Sequence, residues 1–167
     1  IQNGMIRLVK ISENKLEHYT IPMNDCFVND MQLKVLKNEN IYIGSLISAN
    51  KDYYSMQFKS ILFNPTHFDI ISSNTKNLIP LKMEIYDYMA VLHKKFYYNL
   101  KIINIIEFEN GDIIVNCEQV LDLLFTRDRS LEQLRGSILI IYLNNEAEIT
   151  NMSEIIKKQR GAEMADF

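Results

Sequence analysis

The amino-acid sequence predicts an α+β fold: an antiparallel β-meander, forming a curved sheet or partly open barrel, packed by an amphipathic helix, with a second hairpin and a C-terminal helix. Three observations predict it. Residues 5–73 alternate short apolar runs with polar turns. The apolar spacing changes from two to three and four after Pro80. No regular strand and helix alternation appears that would call for a doubly wound parallel sheet.

The runs Met5 to Ile11, Leu16 to Ile21, Met31 to Leu36, Ile41 to Ser48 and Tyr53 to Phe63 read as strands. The polar breaks from Ser12 to Lys15, Lys37 to Asn40 and Ser48 to Asp52 are of hairpin length, so neighbouring strands are expected to pair antiparallel. A sixth strand is expected from His67 to Ser72, where Phe68, Ile70 and Ile71 favour extended backbone. Beyond Pro80, Leu81, Ile85, Tyr88, Met89, Leu92 and Phe96 fall on one face of a helix entered through a proline. Leu100 to Glu109 and Asp112 to Cys117 then form a hairpin, because Asn110-Gly111 suits the two positive-φ positions of a type I′ turn. Glu118 to Phe125 is expected as a short helix. Ser130 with Gln133 reads as a capping box opening another, which Gly136 ends. Ser137 to Leu143 is a continuous apolar run, as befits a strand interior to a sheet. Met152 to Asp166, capped by Asn151 with Glu154, is expected as the terminal helix. The chain divides into a meander half, residues 1–73, and a half of helix, hairpin, strand and terminal helix, residues 80–167, expected to pack as one domain.

Composition limits the function. With 167 residues, 47% of them hydrophobic, the chain is long enough to build a core without staples. Its 18 Lys and Arg against 21 Asp and Glu give a net charge of −3, so no global field draws it to nucleic acid or an anionic membrane. Cys26 and Cys117 share no metal-ligand or redox spacing and are expected to be reduced thiols. The apolar run Ile138 to Leu143 is far shorter than the roughly 20 residues a bilayer span takes. Residues 1–5 lack the basic and apolar regions of a signal peptide. A cytoplasmic protein with no membrane contact and no cofactor is expected.

Three of the five arginines, Arg127, Arg129 and Arg135, fall within nine positions beside an expected helix start, a pattern suited to binding a small anion. Asp128-Arg129-Ser130 begins the second half of the PilZ-type cyclic-dinucleotide signature, but Gln133 stands where that signature has glycine. Glu107, Glu109, Asp112, Glu118 and Asp122 crowd a stretch without a basic residue, as a divalent metal site for phosphodiester hydrolysis would require. The lysine that such nucleases carry two residues beyond a carboxylate is missing from Glu118-Gln119-Val120. His18, His67 and His93 are scattered, and no Gly-rich phosphate loop, nucleophile elbow or zinc-protease helix occurs. No catalytic residue is therefore assigned.

His93-Lys94-Lys95-Phe96-Tyr97-Tyr98-Asn99-Leu100-Lys101, followed by Asn110-Gly111, resembles a segment of LytTR-type DNA-binding domains, β-rich bacterial regulators that insert loops into successive major grooves. The resemblance covers about 30 residues and lacks the family's Arg-Ser pair, where Lys94 and Lys95 stand. It implies phosphate contacts from Lys94, Lys95 and Lys101. The leading expectation is a non-catalytic regulatory or interaction module that binds a protein partner or a small anionic ligand. A LytTR-like transcriptional regulator and a metal-dependent nuclease-like enzyme are the alternatives.

Overall fold

The computed structural model describes residues 5–13, 15–23, 26–49, 56–78, 99–124 and 131–156. They form ten strands: β1 (Met5–Ser12), β2 (Lys15–Pro22), β3 (Phe27–Val35), β4 (Ile41–Ser48), β5 (Met56–Asn64), β6 (Asp69–Asn77), β7 (Asn99–Glu107), β8 (Ile113–Leu124), β9 (Leu131–Leu143) and β10 (Ile149–Ile155). Among the described residues there is no helix, so the expected α+β class is corrected to all-β.

The errors are specific. Residues 118–124 continue β8, because Glu118 to Leu124 pair along β9 from Ile138 back to Leu131. A short apolar run cannot be assigned to helix or strand by periodicity, and here a long cross-strand ladder decides. The same ladder removes the helix expected to open at Ser130 and end at Gly136. Gly136 lies inside β9, where an added Cβ would stand 2.7 Å from Gln119 Oε1. The C-terminal helix is corrected over its first turn: Met152 to Ile155 belong to β10 and pair with Ile141 to Ile138. The rest of that segment, and the helix expected over Leu81 to Phe96, lie outside the described residues.

The strands form three antiparallel sheets: the hairpin β1-β2, a first four-stranded sheet in the order β3-β4-β5-β6, and a second in the order β10-β9-β8-β7. The two larger sheets face each other across one core. Tyr42, Leu46, Phe58 and Leu62 from the first sheet meet Ile102, Val115, Cys117, Leu139 and Ile141 from the second. Gly44, between Tyr42 and Phe58, leaves the space their rings fill; an added Cβ would lie 3.1 Å from Phe58 Cζ. The β1-β2 hairpin covers the other face of the first sheet, where Ile6, Ile21 and Met23 pack on Ile43, Ile47 and Ile61. An edge-to-face cluster of Tyr19, Phe63 and Phe68 fixes its position, with ring centroids 5.3 to 6.0 Å apart. Lys10 Nζ donates to the Pro65 carbonyl 3.1 Å away.

Two edges of the sandwich are closed by side chains. On β3 the polar residues point inward and the apolar ones outward, the reverse of the usual half-buried strand. Asp30 accepts from Ile102 N at 2.6 Å, Gln32 Nε2 donates to Ile102 O at 2.5 Å, and Lys34 Nζ donates to Ile105 O at 3.0 Å. These bonds satisfy backbone groups on β7, an edge strand of the second sheet, which would otherwise invite pairing with another chain. Across the sandwich, Ser60 Oγ donates to Ala147 O at 2.7 Å and Ser72 Oγ to Glu146 O at 2.6 Å, tying β5 and β6 to the β9-β10 loop.

The loops β3-β4, β7-β8 and β9-β10 share one geometry. In each, the first residue donates to the carbonyl of the fifth and the fourth donates back to the first: Leu36 with Asn40 and Glu39, Phe108 with Asp112 and Gly111, and Asn144 with Glu148 and Ala147. The fourth residue is left-handed, at φ 67° for Glu39, 86° for Gly111 and 61° for Ala147. The hairpin at Asn110-Gly111 is therefore present, but as a three-residue loop closed by a left-handed residue; of the two residues only Gly111 has positive φ.

Candidate functional site

Alternation along a strand puts every second side chain on the face away from the core. On the second sheet the register aligns these into three rows: Ile106, Ile114, Tyr142 and Asn151; Asn104, Asn116, Ile140 and Ser153; Lys101, Glu118, Ile138 and Ile155. Six of these twelve side chains, Ile106, Ile114, Tyr142, Ile140, Ile138 and Ile155, are apolar, more than a fully solvated face requires. Ile103, at a bulge in β7, is 47% exposed and Ile155 is 49% exposed.

Two depressions follow one another along this face. The first, of about 740 Å³, lies at the loop end between Phe108, Glu109, Asp112, Ile114, Tyr142 and Thr150. The second, of about 310 Å³, lies further down β8 and β9, among Ile103, Asn116, Glu118, Ile138, Ile140 and Ile155. Together they make a groove with a mainly apolar floor, with Glu109 and Asp112 at its loop end and, at its lower end, Glu118 held by Arg135. No Lys or Arg is among the described residues that line either depression.

At the lower end Glu118 is buried although it sits on the outer face, and its side chain is 6% exposed. Arg135 Nη1 donates to its Oε2 at 2.5 Å. A carboxylate this far from water requires a cation and hydrogen bonds to stay charged. The pairing commits part of the Arg135 guanidinium to Glu118 and leaves its side chain half exposed.

Arg135 is in this ion pair, and Arg127 and Arg129 lie outside the described residues, as do Lys94 and Lys95. Lys101 is on β7, opposite Glu118 in the ladder. Three of the five acids expected near a metal have other partners. Glu107 accepts from the Lys37 backbone N–H, Asp112 accepts from Asn110 Nδ2, and Glu118 holds Arg135. Among the described residues no three His, Cys, Asp or Glu side chains gather where they could hold a metal ion.

Cys117 offers no nucleophile. It is fully buried on the inner face, and burial pushes its thiol well above the ordinary range, helped by the negative charge of Asp30. Burial pushes the Tyr42 hydroxyl up in the same way. Sequence reasoning missed the groove. The one signal for it was the unbroken apolar run 138–143, whose alternate residues, Ile138, Ile140 and Tyr142, face away from the core.

A second apolar strip, Met31, Leu33 and Val35, lies on the outer face of the first sheet at β3, 43 to 62% exposed, beside the area the hairpin covers. Among the described residues no helix is long and apolar enough to cross a membrane. No protein-family model matches the chain, and neither a curated protein sequence nor a solved structure matches it.

Proposed function

We propose that the chain is a non-catalytic interaction module whose partner is a protein segment seated in the groove on the outer face of the second sheet. The observation that carries this reading is the pairing of a mainly apolar floor with the Glu109 and Asp112 carboxylates at the loop end. Contiguous exposed apolar surface with a polar rim is characteristic of interaction sites. Charge complementarity selects what enters: an apolar segment that carries Lys or Arg is favoured, and an anion or a nucleic acid backbone is repelled. Of the two ligand classes the sequence left open, the protein partner is therefore preferred to the small anion. The other partners of Glu107, Asp112 and Glu118 and the protonated, buried Cys117 weigh against a hydrolytic centre.

The test is selection from a displayed library of random peptides against the 167-residue protein. Enriched sequences should combine apolar residues with Lys or Arg. Their binding should fall at least tenfold in the variant Ile103→Lys with Ile155→Lys, whose melting temperature should stay that of the parent. Enrichment of acidic sequences, or binding that the variant leaves unchanged, would refute the reading.

A further inference from the structure

We infer that one occupant of this groove is a second copy of the chain, which inserts the outer face of its β1-β2 hairpin. The inference rests on the groove reading above and names a partner for it.

The register of the hairpin puts Met5 with Pro22, Arg7 with Thr20, Val9 with His18, and Ile11 with Leu16 on the face turned away from the first sheet. The opposite face, with Ile6, Leu8, Tyr19 and Ile21, is the one buried. The outer face is as unusual as the groove. Met5 is 56%, Val9 46%, Ile11 78% and Leu16 56% exposed, so the apolar side chains of both strands stand in water. Its charged or titratable members are Arg7 and His18, and it carries no acid. The groove has the matching character: mainly apolar, with the Glu109 and Asp112 carboxylates at its loop end and no Lys or Arg among the described residues that line that end. An apolar ribbon carrying Arg7 thus meets an apolar trough edged with carboxylates.

The two surfaces lie on different sheets of one molecule. Each copy therefore offers one hairpin and one groove, and docking is head to tail. Such heterologous contacts continue into rings or open chains and do not stop at a symmetric pair. The β1-β2 hairpin already serves in this way within one chain, since its inner face lies across the first sheet. Its outer face would bring the same two-stranded ribbon onto the second sheet of the next copy.

Sedimentation measurements from about 10 μM to about 1 mM test this, a range that suits a contact of modest area. The wild-type mass should rise with concentration and pass that of a dimer. The hairpin variant Arg7→Glu with Val9→Glu should remain monomeric, and so should the groove variant Ile103→Lys with Ile155→Lys. An equimolar mixture of the two variants should associate again, because each supplies the surface the other lacks. Leu33→Lys, on the β3 strip, should associate like the parent. All these positions are exposed, so unchanged melting temperatures separate lost contact from lost fold. A wild type that stays monomeric at about 1 mM overturns the inference. So does a hairpin variant that associates normally, which would mean grooves meeting each other, or a mixture that stays monomeric. None of these outcomes touches the groove reading, which the peptide selection tests separately.

Discussion

The two four-stranded sheets have the same strand number, the same antiparallel meander and the same loop geometry at β3-β4 and β7-β8, yet their outer faces differ. On the first sheet, Ile43 and Ile61 face outward and are 1% and 0% exposed, because the β1-β2 hairpin lies over them. On the second, Ile138 and Ile140 stand at comparable positions on β9 and are half-buried, beside exposed Ile103 and Ile155. An apolar sheet face requires a cover, and the chain supplies one to the first sheet from its own N-terminal strands. Among the described residues no such strands lie over the outer face of the second sheet, and this difference is what motivates the proposed docking of a partner there.

The strongest way to break the comparison is to cut back one outer isoleucine on each sheet. Ile61→Ala should cost about 2–5 kcal/mol, as a fully buried position does, whereas Ile140→Ala should cost about 1 kcal/mol or less. Denaturant melts of the two variants measure the difference, and equal losses would mean that both faces are covered alike. Adding a selected peptide should narrow the gap by stabilising the parent and Ile61→Ala, whose groove is intact, but not Ile140→Ala.

Next in size is the seam at β3. Asp30→Ala leaves the Ile102 N–H without its acceptor and should cost about 1–3 kcal/mol. Hydrogen exchange at Ile102 should accelerate while exchange at Val115, in the middle of β8, follows only the global loss. Unchanged exchange at Ile102 would show that the side chain does not hold this edge.

The pH dependence concerns the shared core. The folded state holds the Cys117 and Tyr42 groups protonated above their ordinary ranges, so the unfolded chain releases these protons first. The stability they confer is complete below the unfolded thiol value of about 8.5 and is lost as pH rises beyond it. The melting temperature should therefore decline through the alkaline range, and Cys117→Ala should make that decline shallower. A thiol reagent should leave Cys117 unmodified until the protein unfolds.

The smallest effect tests the likeness of the loops. Glu39 occupies the left-handed position that Gly111 occupies in the other sheet. Glu39→Gly should raise stability by about 0.5–1 kcal/mol and Gly111→Ala should lower it by a similar amount, both read from thermal melts. A loss on Glu39→Gly would separate the two loops.

Strands at the start of the chain were legible because polar turns of hairpin length separate them, and the pairing of β1 with β2 and of β4 with β5 follows. The three-layer arrangement was not legible. Alternation in Met31-Gln32-Leu33-Lys34-Val35 announces a strand but not which face is buried, and here the polar residues turn inward to bond β7. The helices expected over Glu118 to Phe125 and from Met152 failed because runs of four to seven apolar and polar residues fit either period, and ladder pairing between distant segments decides. The groove shared this obstacle: its residues lie on four strands, and only the register brings Ile103, Ile138 and Ile155 together. Of the arginine cluster, Arg135 is bound to Glu118, 17 residues before it, a pairing that local spacing could not reveal, and Arg127 and Arg129 lie outside the described residues.

Isoleucine methyl spectra of the full chain, recorded while a selected basic-apolar peptide is added, compare the two outer faces directly. Signals of Ile103, Ile138, Ile140 and Ile155 are expected to shift in a saturable manner while those of Ile43, Ile47 and Ile61 stay in place. Shifts confined to the first sheet, or to the β3 strip at Met31 and Leu33, would contradict the assignment of the second sheet as the docking face.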